Sequence, residues 1–331
     1  MGLHDGFLLS PHVETIWAAK AAKPHRVSKS VLYTRKRWTT PDHDFIDVDF
    51  LHHEPKLEAK KPLWVMFHGL EGSSQSHYAK AFARYAQDHH LNYCVPHFRG
   101  CSGELNLAPR AYHSGDWQEI DWILRRLKAE HASDVYAVGV SLGGNALMRW
   151  AGEMGSSASQ VVQGAVSICS PLDLHASGIH IGLGLNQHIY TPMFLRTMKP
   201  RALQKLTQFP HLFDKSKLLA SRNLYEFDNV FTAPLHGFKS TEDYWARASA
   251  KPYLANIQIP ALAINAMNDP FIPASSLPKD HAVGHHVKLW QPRRGGHVGF
   301  AADCLTSFPG HLQTLPQVVG AFFHDGAVPR G

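Results

Sequence analysis

From residue 62 onward the chain alternates short apolar runs with longer amphipathic segments. The runs are P-L-W-V-M-F-H-G (62–69), N-Y-C-V-P-H-F-R-G (92–100), D-V-Y-A-V-G-V-S (134–141), Q-G-A-V-S-I-C-S (163–170) and I-P-A-L-A-I-N-A-M (259–267). Each is too short for a core helix and apolar on both faces, as a buried parallel strand must be. Between them lie helix-like stretches. S-H-Y-A-K-A-F-A-R-Y-A-Q-D-H-H covers 76–90, and S-G-D-W-Q-E-I-D-W-I-L-R-R-L-K covers 114–128. The second places Trp117, Ile120, Leu124 and Leu127 on one face and offers Ser114 as N-cap. Strands alternating with helices predict an α/β fold with a mostly parallel, doubly wound sheet. Right-handed crossovers then gather the loops after the strand C-termini along one edge, where ligands bind in such sheets.

Upstream, W-T-T-P-D-H-D-F-I-D-V-D-F (38–50) changes period. Ile46, Val48 and Phe50 alternate with Asp47 and Asp49 after a Pro-Asp turn, which predicts an antiparallel N-terminal hairpin with one wet face. The strand rhythm lapses over 174–244, a stretch with G-I-H-I-G-L-G-L-N, T-P-M-F-L-R-T-M-K-P-R-A-L-Q-K-L and aromatic clusters. It reads as a helical cap inserted over the strand edge. Rhythm resumes at 257–267 and 286–290, and Leu315–Phe323 closes a single domain spanning 1–331.

Composition narrows the function. With 44% hydrophobic and 18% charged residues the chain is ordinary globular protein, and no run approaches the roughly 20 apolar residues of a membrane span. The first ten residues lack a basic n-region, and Gly6 stands where myristoylation wants Ser or Thr. Cys94, Cys101, Cys169 and Cys304 are scattered and form no C-x-x-C pair, which fits a cytoplasmic location and predicts neither a disulfide scaffold nor a structural metal. The formal charge of +6 is spread along the chain, so nucleic acid is not an expected partner. Met193–Leu206 mixes Met, Phe and Leu with Arg and Lys, the texture of weak peripheral membrane contact. Pro200 is expected to break a single helix there, which favours a cap segment.

One serine stands out. Gly139-Val140-Ser141-Leu142-Gly143 is a G-x-S-x-G motif, which arises by chance in about one chain in ten of this length. Its setting sharpens it: an apolar β-branched run precedes it and N-A-L-M-R-W-A follows, giving strand, tight turn and helix. Such a turn lifts the serine Oγ off the sheet edge and aims the N–H groups of the next helix at it. Serine needs a base, and the base needs an acid to orient it, in the chain order Ser, Asp or Glu, His. Asp269 follows the strand at 259–267, and His297 follows the strand at 286–290 among Gly295, Gly296 and Gly299. Asp173 is the rival acid. An oxyanion hole needs two backbone N–H donors, and Leu142 and Leu70 in F-H-G-L-E-G-S-S hold the required places. His68 is expected to shape that loop, and Arg99, Cys101, Ser102, Glu104, Tyr112 and His113 to form a supporting wall. Met193 and Phe194 are the candidate substrate-binding residues of the insertion.

Several motifs run in one order: P-H-V-E-T-I-W, T-P-D-H-D-F-I-D-V-D-F, F-H-G-L-E-G-S-S, H-F-R-G-C-S-G-E, Y-H-S-G, G-V-S-L-G-G-N, N-D-P-F-I-P and G-G-H-V-G-F. Together they resemble the YheT-like branch of the α/β-hydrolase superfamily, which is related to esterases and monoacylglycerol lipases. The resemblance covers about Pro11 to Phe300. It implies the α/β-hydrolase fold and a serine hydrolase with Ser141 as nucleophile, Asp269 as acid and His297 as base. It also implies short-chain carboxylesterase or acylglycerol lipase activity on a small ester or lipid-like substrate, with no cofactor. Two alternatives stay open: an acyltransferase using the same triad, and a non-catalytic binding module on a hydrolase scaffold.

Overall fold

The apolar runs become the parallel strands of an eight-stranded sheet. The computed structural model describes residues 10–24, 31–53, 60–131, 133–302, 304 and 310–329. The motif-poor N-terminal stretch 1–9, on which the signal and myristoylation readings rest, lies outside the described residues.

The strands are β1 (Tyr33–Thr39), β2 (Phe45–Leu51), β3 (Leu63–Phe67), β4 (Asn92–Pro96), β5 (Val135–Val140), β6 (Gly164–Ile168), β7 (Ala261–Ile264) and β8 (Val287–Trp290). Their spatial order is β1-β2-β4-β3-β5-β6-β7-β8. β1 pairs antiparallel with β2, and β2 with β4; the remaining pairs are parallel. The order reverses around β3, so β3 and β5 lie side by side with Phe67 facing Gly139. That register sets the end of β3 against the turn that carries Ser141.

Side chains alternate between two layers, as a pleat requires. Leu63, Val65 and Phe67 face one core with α3 (Trp117–Glu130) and α4 (Leu142–Met154), while Trp64 and Met66 face another with α2 (His77–Asp88) and α11 (Thr314–Asp325). In α3, Ile120, Ile123, Leu124 and Leu127 are fully buried, each worth about 1.5–3 kcal/mol. This helix begins at Trp117 with Asp116 as its N-cap. Ser114 lies three residues earlier, buried, with its N–H on the Tyr244 hydroxyl.

The hairpin forms, but its second face is dry. Asp47 and Asp49 are both buried. Arg37 and Ser102 bond Asp47, and Arg35, Ser74 and His97 bond Asp49. Alternation in sequence reports which residues share a face; it does not report that a distant loop covers the polar one.

Between β6 and β7 run α5 (Leu174–Ile181), α6 (Gly184–Gln208), α7 (Lys215–Ala220), α8 (Leu224–Val230), α9 (Thr232–Leu235) and α10 (Thr241–Ala248). α6 continues through both Pro192 and Pro200. An interior proline costs a helix roughly 3 kcal/mol in isolation, so the expected break at Pro200 is overridden here by tertiary anchoring. Tyr190, Thr191, Leu195, Ala202 and Lys205 are buried on either side of the prolines, and Thr191 Oγ1 donates to the Ile181 carbonyl.

Candidate active site

Ser141 follows β5 directly, with φ 53° and ψ −119°, a backbone region that costs a non-glycine residue about 1–3 kcal/mol. The surrounding contacts hold it there. Its N–H donates to the Ile168 carbonyl on β6, and its own carbonyl accepts from Gly144 and Asn145. The glycines permit the approach: a Cβ on Gly139 would sit 2.5 Å from the Gly144 Cα, and one on Gly143 2.5 Å from the carbonyls of Phe67 and His68. The turn therefore needs glycine on both sides of the serine for space.

The strand ends bring three distant side chains into line. His297 Nε2 lies 3.1 Å from Ser141 Oγ, and its Nδ1 lies 2.9 Å from Asp269 Oδ2. Asp269 is fully buried, and its Oδ1 accepts from the Phe271 N–H at 2.8 Å. The imidazole packs against the Phe271 ring, with centroids 4.0 Å apart. The rival Asp173 is elsewhere, capping α5 through Ala176 N and pairing with Lys251.

The loop carrying His297 is braced by residues outside the strand pattern. Helix α1 (Pro11–Lys20) supplies Thr15, whose Oγ1 accepts from His297 N, and Glu14, whose Oε2 accepts from Gly295 N. Asn268 links the two sides, accepting from Gly296 N and donating to Glu14. Cys169, buried at φ 47°, accepts from Val298 N and contacts the Gly296 carbonyl. Sequence reasoning missed Glu14, Thr15, Cys169 and Phe271 as supports. P-H-V-E-T-I-W was the available signal, but nothing in its periodicity says what it packs against.

Two backbone amides near the serine lack acceptors among the described residues. Leu142 opens α4, where the N–H has no intrahelical acceptor. The N–H of Leu70 has no acceptor among the described residues, and both residues line the same pocket as Ser141. His68 fixes the peptide that carries the second amide. Its Nε2 accepts from Phe98 N at 3.0 Å, so Nδ1 carries the proton and donates to the Gly69 carbonyl at 2.8 Å. Gly72 N donates to the same carbonyl. Because the Gly69–Leu70 peptide is planar and trans, fixing that carbonyl turns the Leu70 N–H the opposite way. Complete burial pushes the His68 imidazole down to about 3, so it stays neutral and keeps this tautomer.

Cys169, Asp269 and His297 bring one ligand atom each within 4.8 Å of one another. Burial, with Asp269 adding to it, pushes the Cys169 thiol well above its usual range. A neutral thiol is a poor metal ligand, and the Asp269–His297 hydrogen bond accounts for the other two groups. Cys101 is also an inert candidate: burial pushes its thiol up to about 12, and its partner is Arg201.

A sequence profile described as the alpha/beta hydrolase fold matches residues 62–302. The chain belongs to this family. YheT of Escherichia coli (strain K12) is 37% identical over 82% of this α/β hydrolase and 79% of its own length. The monoacylglycerol lipase of Saccharomyces cerevisiae is 28% identical over 76% of the chain, which spans 58% of the yeast protein. Among solved structures, the Pyrococcus furiosus esterase Pf2001 superposes with a TM-score of 0.54 at 15% identity, covering 91% of this chain and 98% of that one. At that identity the likeness concerns the fold alone.

In this hydrolase the serine opens into a cavity of about 160 Å³, walled largely by apolar side chains such as Ile181, Met198, Leu224, Phe227 and Phe231. Phe194 belongs to that wall. Met193 does not: its side chain is half exposed on the outer face. The helical period explains the difference. Phe194, Met198, Arg201, Ala202 and Lys205 recur at three and four residues along α6 and form the inward stripe, and Met193 is one residue off it. Of the expected wall residues, Arg99, Tyr112 and His113 line the pocket, and Arg99 is tied there to Asp42, Asp44 and Glu119.

Proposed function

We propose that this α/β hydrolase cleaves carboxylic esters through an acyl-enzyme on Ser141. The observation that carries the reading is the unbroken line from Asp269 Oδ2 through His297 to Ser141 Oγ, with bonds of 2.9 and 3.1 Å. His297 takes the serine proton as Oγ attacks the carbonyl, and Asp269 stabilises the imidazolium. The N–H groups of Leu142 and Leu70 receive the oxyanion, where one such donor is worth about a hundred- to a thousandfold in rate. His297 then protonates the leaving alkoxide. Water, deprotonated by the same imidazole, releases the acid. The insertion acts as a cap whose apolar wall takes the acyl chain. The names of the relatives, a monoacylglycerol lipase among them, support ester substrates.

The test is a panel of aryl esters and monoacylglycerols of graded acyl length. Turnover to free acid, with preference rising as the chain fills the apolar wall, is the expected result. Absence of turnover across the panel, or transfer of the acyl group to added glycerol in place of water, overturns the hydrolytic reading.

The outer face of the insertion supports weak contact with lipid surfaces. Leu185, Ile189 and Met193 follow one another at four-residue spacing on α6 with exposures of 64%, 37% and 49%. Ile179 and Leu183, just before α6 in the chain, are exposed as well, and α6 contains no Asp or Glu. Exposed apolar strips of this kind mark interaction faces. No helix among the described residues is long and apolar enough to cross a membrane. The protein is expected to cosediment with phosphatidylcholine vesicles containing phosphatidylglycerol. The combined Leu185→Ser, Ile189→Ser and Met193→Ser variant is expected to lose at least about half of that binding. Equal sedimentation of the two proteins sinks this part of the reading.

A further inference from the structure

Three cationic side chains, Arg99, Arg201 and Lys205, line the pocket. In two of them every side-chain nitrogen has a partner. Arg99 gives Nε to Glu119, Nη1 to Asp42 and Asp44, and Nη2 to Asp42. Lys205 Nζ donates to the carbonyls of Asn106 and Ala108 and to Gln208 Oε1. Arg201 differs. Its Nη1 donates to Glu71 Oε1 and Cys101 Sγ, both at 3.0 Å, while Nε and Nη2 have no partner among the described residues. Its side chain is 31% exposed, against 4% for Arg99.

The guanidinium is also held still. Tyr112 Oη donates to Glu71 Oε1 and accepts from Glu71 N, both at 2.9 Å. Tyr112 in turn stacks on Phe98 at 5.4 Å with planes 7° apart. Glu71 sits at φ 57°, immediately after Leu70. A pre-set N–H fork next to the proposed oxyanion loop, on the wall of a largely apolar chamber, loses little entropy on binding an oxygen atom.

Charge decides what kind of oxygen. Glu71 balances Arg201, Asp42, Asp44 and Glu119 surround Arg99, and Asp44 also acts on Lys205, so the three cations stand against four carboxylates. This wall carries no surplus positive charge, so an anion gains no net field there, whereas an uncharged acceptor gains the hydrogen bonds. We infer that Arg201 is a specificity-determining residue that binds a second, uncharged oxygen of the substrate, a hydroxyl or carbonyl apart from the scissile ester. The inference rests on the ester-hydrolase reading above.

The test compares glycerol monobutyrate with propyl butyrate, which share the acyl group and the carbon skeleton of the alcohol. The full chain is expected to favour the glycerol ester in kcat/KM by about ten- to a hundredfold, the range for hydrogen bonds to a charged donor. In Arg201→Met that ratio is expected to fall to about one. Losses common to both esters cancel in the ratio. The double variant Arg201→Met with Glu71→Gln removes the carboxylate left without its cation, and its ratio is expected to be equally flat. A wild-type ratio near one, or a ratio unchanged in both variants, overturns the inference. So does a preference for the phosphorylated glycerol ester over the neutral one, since the subsite would then select charge. If propyl butyrate is cleaved while the ratio is flat, the subsite falls and the hydrolase stands. If neither ester is cleaved and Ser141 takes no fluorophosphonate label, both fall together.

Discussion

Replacing Ser141 with alanine is expected to abolish labelling by a fluorophosphonate and to lower ester turnover by about a millionfold, with the fold intact. The size follows from how the site is built. His297 Nε2 meets one hydroxyl, Ser141 Oγ at 3.1 Å, and the neighbouring thiols cannot replace it. Cys101 is buried, protonated and bonded to Arg201, and Cys169 lies behind Asp269 among the backbone groups of the His297 loop. Residual rate would come from Leu142, Leu70 and substrate binding alone. The fold is expected to survive because alanine removes one hydroxyl and leaves Gly139, Gly143 and the Ile168 contact in place. Intact-protein mass after labelling, with a thermal melt as control, reads both parts. A variant that folds and is labelled as strongly as wild type refutes the assignment of the nucleophile.

The central sheet was legible because buried parallel strands leave little room for ambiguity. Leu63–Phe67, Val135–Val140 and Ala261–Ile264 are continuous apolar runs, Gly164–Ile168 is broken only by Ser167, and each forms its strand. The elbow was legible for a related reason: a glycine on each side of one serine at a strand end answers a steric demand, visible in the 2.5 Å approaches. What sequence could not reveal were the partners that neutralise or cover a residue. Asp47 and Asp49 look like a solvated face until Arg35 and Arg37 lie alongside and Ser74, His97 and Ser102 arrive from other loops.

The helical segment between β6 and β7 was less readable for the same cause. Pro192 and Pro200 forbid a long helix by local rules, yet α6 runs 25 residues because burial on both sides of each proline offsets the lost hydrogen bonds. Met193 and Phe194 were indistinguishable as neighbours, and only the stripe through Met198, Arg201 and Lys205 separates them. That stripe is written in the sequence. It becomes readable once the helix is known to be continuous, which the prolines conceal.

Asp269→Asn is the second large effect, and the surroundings of the carboxylate fix its mechanism. Asp269 Oδ1 accepts from the Phe271 N–H, while Oδ2 accepts from His297 Nδ1. An asparagine there has one oxygen and one NH2 group. The Phe271 N–H can only donate, so the amide oxygen must stay on that side and the NH2 must face His297. Nδ1 then becomes the acceptor, and the imidazole proton moves to Nε2, where it points at Ser141 Oγ. The imidazole is correctly placed and wrongly protonated, unable to take the serine proton. A wrong tautomer of this kind costs about ten-thousandfold in kcat in a serine protease triad. A similar fall is expected here, with KM within a few-fold and the melting temperature little changed, since shape and burial are conserved. Steady-state kinetics on a short aryl ester measure it. If Asp269→Asn retains a tenth of the wild-type kcat or more, the 2.9 Å contact with His297 is structural, and the imidazole is oriented by Thr15, Phe271 and its loop alone.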